Sequence, residues 1–90
     1  MAWTIEISKD AQKDLRRIDR TAATRIVRFL DERVVTSLDP RTLAEPLAGN
    51  EFAGLWRFRV GDYRIIADIE HDVLKVLVLE IGPRGSVYRS

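Results

Sequence analysis

Residues 55–70 read LWRFRVGDYRIIADIE, two runs of strand-forming residues separated by Gly61-Asp62. No other stretch restricts the fold as tightly. Glycine at the first loop position suits the positive φ of a two-residue type II′ turn, and such a turn sets the register of the strands on either side. Val60 then faces Tyr63, Arg59 faces Arg64, Phe58 faces Ile65, Arg57 faces Ile66 and Trp56 faces Ala67. Directly opposed residues project to the same side of a sheet. One face therefore carries Trp56, Phe58, Val60, Tyr63, Ile65 and Ala67, while Arg57, Arg59 and Arg64 gather on the other.

The apolar face requires a cover, and the upstream sequence supplies one. Trp3, Ile5 and Ile7 alternate with Thr4 and Glu6, the period-2 pattern of a short strand. Ser8 is a helix N-cap, with Ala11, Leu15 and Ile18 following on one helical face, so a first helix is expected over 9–18. Thr21 is read as a second cap, ahead of a stripe formed by Ala23, Ile26, Val27, Leu30 and Val34. That helix is expected to fade near Ser37, before Asp39-Pro40. Residues 40–54 hold two prolines and two glycines around Leu43, Leu47 and Phe52, which reads as an ordered loop on apolar anchors. Beyond the hairpin, residues 73–81 form a nearly unbroken Val/Leu/Ile run suited to a central strand. The expected fold is α+β in a single domain over residues 1–90: an N-terminal strand, a two-helix hairpin, then a mostly antiparallel sheet of three further strands.

Composition narrows the function classes. There is no cysteine, which excludes disulfides and thiolate metal sites. The single histidine, His71, sits in a polar turn and has no second histidine to complete a metal triad, so no metal and no cofactor is expected. No apolar run approaches the roughly 18 residues of a membrane span, and the first residues lack signal-peptide character. A cytoplasmic protein without membrane contact is the expectation. Fifteen Lys+Arg balance fourteen Asp+Glu for a net charge of +1, so any polyanion site must arise from local sorting of charge.

The three clustered arginines are such a sorting. Arg59 opposite Arg64 is unfavourable by itself, because like charges at cross-strand distance weaken the pairing. Two readings offset the cost. Asp68, diagonal to Arg57 on the same face, can anchor a solvated ion-pair network. Alternatively, the guanidiniums form a phosphate site, making bidentate charge-assisted bonds to polyanion oxygens. Trp3, Trp56, Phe58 and Tyr63 read as packing residues, and Arg16, Arg17, Arg20, Arg25 and Arg28 as a solvated helix surface.

The stretches EPLAGNEFAGLWRFRVGDYRII and VLVLEIGPRGSVYRS, with the Pro40-Arg41 loop and the closing Gly82-x-Arg84-x-x-Val87-Tyr88, resemble the RelE branch of the RelE/ParE toxin superfamily. The resemblance implies the toxin of a type II toxin–antitoxin pair: a metal-independent endoribonuclease that cuts messenger RNA in the ribosomal A site. A cognate RelB-like antitoxin would silence it, with operator DNA bound only through the antitoxin complex. Carried over by motif, Arg57 and Arg59 bind RNA, and Arg64, Arg84 and Tyr88 are catalytic. Some RelE enzymes hold lysine where this chain has Arg57 and Arg59. Arginine stays charged above pH ~12 and is a poor general base, so the base is left open among Tyr88, ribosomal RNA and water. The ParE-like alternative shares the fold but inhibits DNA gyrase and cleaves no RNA. An inactive scaffold that only binds antitoxin is the third reading.

Overall fold

A computed structural model of the chain describes residues 2–48 and 53–85. Its strands are β1 (Thr4–Ile7), β2 (Glu45–Pro46), β3 (Leu55–Val60), β4 (Tyr63–Glu70) and β5 (Lys75–Pro83), and its helices are α1 (Lys9–Arg17) and α2 (Arg20–Phe29). The strands form one sheet in the order β1-β5-β4-β3-β2. β1 runs parallel to β5, and every other neighbouring pair is antiparallel.

The β3–β4 hairpin has the register expected from Gly61-Asp62, from Val60 opposite Tyr63 through Trp56 opposite Ala67. Gly61 takes φ 58° while Asp62 stays out of the positive region, the signature of a type II′ turn. Arg57, Arg59 and Arg64 accordingly share a face.

Four expectations need correction. The sheet gains a fifth strand, β2, inside the stretch read as loop. Pro46 has no N–H to give a second neighbour, so β2 sits at the sheet edge, and Leu47 N–H closes the pairing on Leu55 O at 3.0 Å. The last strand begins at Lys75 because His71–Val73 form a 3₁₀ turn capped by Leu74 at φ 52°. The second helix is capped by Asp19 rather than Thr21. The Asp19 carboxylate accepts the Ala22 N–H at 3.2 Å, and a negative charge is favoured where the helix dipole is positive. Finally, α2 continues into a π-helical turn, Leu30–Val34, with Val35 N–H reaching Leu30 O at 3.0 Å. Ile26, Leu30 and Val34 are buried along this path, but Val27 is exposed and lies off the stripe.

Ser8 caps α1 as expected, its side chain accepting the Ala11 N–H at 3.1 Å. The helices bring Ala11, Ile26, Leu30 and Val34 against Phe58, Val60, Ile65 and Ala67 of the hairpin and Val76, Val78 and Ile81 of β5. Fully burying a side chain such as Phe58 or Ile65 contributes about 1.5–3 kcal/mol, so this layer holds the helices on the sheet. Among the described residues, no helix is long and apolar enough to cross a membrane.

One irregularity determines what lies on the opposite face. Ile66 pairs with Glu80 but the next residue, Ala67, pairs with Val78, leaving Leu79 as an extra residue in β5. Val76 and Val78 point into the core, and strict alternation would send Glu80 after them. The bulge reverses that parity: Ile81 enters the core and Glu80 emerges on the arginine face. α1 supports the bulge at two points. Ser8 Oγ donates to Leu79 O at 3.2 Å, and the Ile81 N–H donates to Asp14 Oδ2 at 2.9 Å.

Candidate functional site

The arginines occupy inner strands, with β3 supplying Arg57 and Arg59 and β4 supplying Arg64. Carboxylates stand on the strands to either side. Arg57 Nη2 donates to Glu45 Oε2 of β2 at 2.9 Å, and Arg59 Nε lies 3.6 Å from Glu45 Oε1. On the other flank, Arg64 Nη2 meets Glu80 Oε1 of β5 at 3.5 Å. The Arg59–Arg64 repulsion is therefore offset from both sides, by Glu45 and Glu80. Asp68, the partner expected from the sequence, lies across from Leu55.

The two ion-pair sites differ in character. Glu45 is exposed, and the Arg57 hydrogen bond, followed by the field of Arg59, holds its carboxyl below the usual carboxylate range. It is an ionised, accessible acceptor at neutral pH. In contrast, the Arg64 side chain is 3% exposed and Glu80 13%. A cation there has little water around it, and its electrostatic influence is screened less than that of a surface charge.

Arg84 directly follows β5, beside the hairpin turn. Its backbone N–H donates to Asp62 O at 2.7 Å, which ties it to the hairpin turn, and the residue is exposed. Gly82, directly opposite Arg64 on the β5 side, adds no side chain to that face. Tyr88 lies outside the described residues, as do Phe52 and Val87. On this face Arg57, Arg59 and Arg64 stand against Glu45, Asp68 and Glu80, three guanidiniums to three carboxylates, so the charges there balance. Such a surface can accept an anion by exchanging a carboxylate for a phosphate.

The remaining residues singled out in the sequence fall elsewhere. His71 is exposed in its turn and meets the buried Trp3 ring edge-on at 5.5 Å. Phe58 is buried with its ring edge-on to Phe29 at 5.8 Å, Tyr63 is half-buried against the core, and Trp56 is half-buried at the start of β3. Arg16, Arg17, Arg20, Arg25 and Arg28 are exposed, with Arg28 paired to Glu32 at 3.4 Å. Arg25 leans over the hairpin turn beside a cavity of about 290 Å³ that Asp19, Asp62 and Tyr63 help to line.

Sequence reasoning missed Glu45 and Glu80. Glu45 was legible in principle, as the acidic residue before Pro46-Leu47 in the quoted motif, but its strand is only two residues long. Glu80 carried no signal, because nothing in the apolar run announces the bulge.

Comparison with known proteins identifies the family and matches the fold. The family model described as the ParE toxin of the type II toxin–antitoxin system parDE matches residues 5–88. The toxin RelE of Mycobacterium tuberculosis is 31% identical over 97% of this chain and 87% of its own length. The toxin RelG of the same organism is 27% identical over 99% of each. Among solved structures, the toxin–antitoxin complex RelBE2 of Mycobacterium tuberculosis matches with a TM-score of 0.84 at 23% identity, covering 93% of this chain and 100% of that one. The archaeal RelE–RelB complex of Pyrococcus horikoshii matches with a TM-score of 0.69 at 26% identity, covering 97% and 100%. With the family match running through nearly the whole sequence and the fold shared, this chain belongs to the RelE/ParE superfamily of type II toxin–antitoxin toxins.

Proposed function

We propose that this toxin is a ribosome-dependent endoribonuclease that cuts messenger RNA in the A site, acting in the cytoplasm and silenced by a cognate RelB-like antitoxin. The observation that carries the reading is the convergence of Arg57, Arg59 and Arg64 on one face of a hairpin whose register a two-residue turn fixes. A rigid element of this kind holds charged groups ready for a phosphate. Operator DNA is engaged only through the antitoxin complex.

The chemistry is an in-line transfer within the RNA. The 2′-oxygen forms a bond to the adjacent phosphorus as the P–O5′ bond breaks, leaving a 2′,3′-cyclic phosphate and a 5′-hydroxyl. The protein supplies no nucleophile. Charge builds on the phosphorane oxygens, where preorganised cations typically make the largest catalytic contribution. Arg57 and Arg59 position the RNA backbone, Arg84 meets the phosphate or leaving group, and Arg64 acts from the floor of the face on the scissile phosphate. Glu45 takes the proton of the 2′-hydroxyl: it is ionised, exposed and already among the arginines that would hold the phosphate. Tyr88 stacks on a base or returns a proton to the departing 5′-oxygen.

The match to the ParE family model supports a second reading, inhibition of DNA gyrase through protein contacts. Induction followed by primer extension on translated mRNA and by plasmid topology analysis separates the two. The nuclease reading expects codon-phased cuts with supercoiling unchanged. Loss of supercoiling with intact mRNA selects the gyrase reading.

A further inference from the structure

We infer that Glu80 is a positioning residue for Arg64, and that the β5 bulge exists to place it there. The catalytic consequence rests on the nuclease reading above, whereas the orientation of Arg64 stands apart from it. Were β5 regular, with Leu79 in the ladder opposite Ile66, Glu80 would point into the apolar core opposite Ile65 and Arg64 would lose the carboxylate on its β5 side. The bulge is held by dedicated contacts: Ser8 Oγ on Leu79 O, and Asp14 Oδ2 on the Ile81 N–H. These flank Glu80 in sequence on both sides. The helix layer thus fixes the backbone from which a single carboxylate reaches the opposite face.

Glu80 and Arg64 are both largely shielded from water, so the ion pair constrains the planar guanidinium more than an exposed pair would. A group that acts on a developing charge must be oriented before the charge appears, since reorganisation at that moment adds to the barrier. Glu45 has a different part. It is exposed, shared by two arginines, and open to exchange with phosphate. A carboxylate that merely damped the charge of Arg64 would make RNA binding tighter when neutralised. A positioning carboxylate would leave binding nearly unchanged and slow the chemical step.

The test uses Glu80→Gln, which keeps the size and an acceptor oxygen but removes the charge. On programmed ribosomes, single-turnover cleavage at saturation is expected to fall by about tenfold to a hundredfold. Affinity for an mRNA carrying a 2′-deoxynucleotide at the cleavage position should change by less than about threefold. In an Arg64→Ala background, Glu80→Gln should have no further effect on rate, because the two residues act as one unit. NMR of the free toxin gives a readout that needs no nuclease activity: the Arg64 side-chain N–H signals are expected to exchange slowly and be dispersed in the wild type, and to collapse toward exposed-arginine positions in Glu80→Gln. Unchanged signals, tighter binding at full rate, or an undiminished rate effect in the Arg64→Ala background each overturns the inference. A wild-type toxin that cuts no ribosomal mRNA removes the nuclease reading, and the NMR comparison then decides the role of Glu80 by itself.

Discussion

Glu45 stands directly opposite Arg57 across the β2–β3 pairing, its carboxylate 2.9 Å from that guanidinium and 3.6 Å from the guanidinium of Arg59. An anion thus already sits where, on the nuclease reading, two cations would hold a phosphate oxygen, and a bound phosphate would exchange with it. The exchange is feasible because Glu45 is exposed and surface ion pairs contribute little.

Glu45→Gln should separate binding from chemistry. Removing the negative charge favours an incoming phosphate, so RNA affinity rises modestly; removing the base slows cleavage by about a hundredfold or more. pH provides the second check. The Glu45 carboxyl lies below its ordinary 4.5, so its pairing with Arg57 and Arg59 is complete above that value and is lost as pH falls through the depressed one. In the substrate complex phosphate takes the arginines and relieves that depression, so the acid limb of the wild-type rate should lie at higher pH than the titration of Glu45 in the free toxin, and Glu45→Gln should lack the limb. Stopped-quench cleavage on pre-formed ribosome complexes measures both.

Salt dependence should sort the arginines by exposure. Each exposed side chain that contacts a phosphate of single-stranded RNA adds about 0.7 to the slope of log K against log salt. Arg59→Ala and Arg84→Ala are expected to reduce the slope by about that much, because both residues face solvent. Arg64→Ala should leave the slope almost unchanged while lowering the cleavage rate sharply, since Arg64 is 3% exposed. Filter binding from low to physiological salt, paired with rate measurements, separates the groups.

How much of this was legible in the sequence depends on where the information resides. The hairpin was readable because a glycine at the first turn position and period-2 alternation act locally and agree. The α1 cap was readable for the same reason: Ser8 bonds a backbone group three residues away. β2 was not, since a two-residue strand has no period to detect and is defined only by its partner β3. The bulge was hidden in a run so uniformly apolar that either parity seemed compatible with burial, and parity decides which face Glu80 occupies. Asp68 has the correct parity to meet Arg57, but Glu45 lies directly across the ladder at hydrogen-bonding distance.

The bulge should be sensitive to substitution from the helix side. Asp14 is 4% exposed and accepts the Ile81 N–H, so Asp14→Ala leaves a buried backbone donor without that acceptor. Hydrogen bonds to charged groups contribute about 1.5–3 kcal/mol, which for a domain of this size corresponds to a fall in Tm of roughly 6–24 °C. Asp14→Asn retains an acceptor oxygen and should lose less than half as much. Thermal unfolding by circular dichroism compares the two, and equal losses would show that the Asp14 charge, rather than its acceptor, supports β5.

The turn that sets the arginine register should tolerate little at Gly61. Its φ of 58° lies where a Cβ is disfavoured, and a Cβ built there would meet Arg25 Nη1 at 3.0 Å. These are separable costs. The backbone penalty is about 1–2 kcal/mol for an L residue, whereas the contact involves the end of a flexible side chain that can swing away. Gly61→Ala should therefore destabilise the toxin by about 1–2 kcal/mol, and adding Arg25→Ala should recover only a small part of it. Urea denaturation of the single and double variants tests this division. Full recovery in the double variant would place the cost in the Arg25 contact and remove the argument that backbone conformation at Gly61 fixes the register bringing Arg59 opposite Arg64.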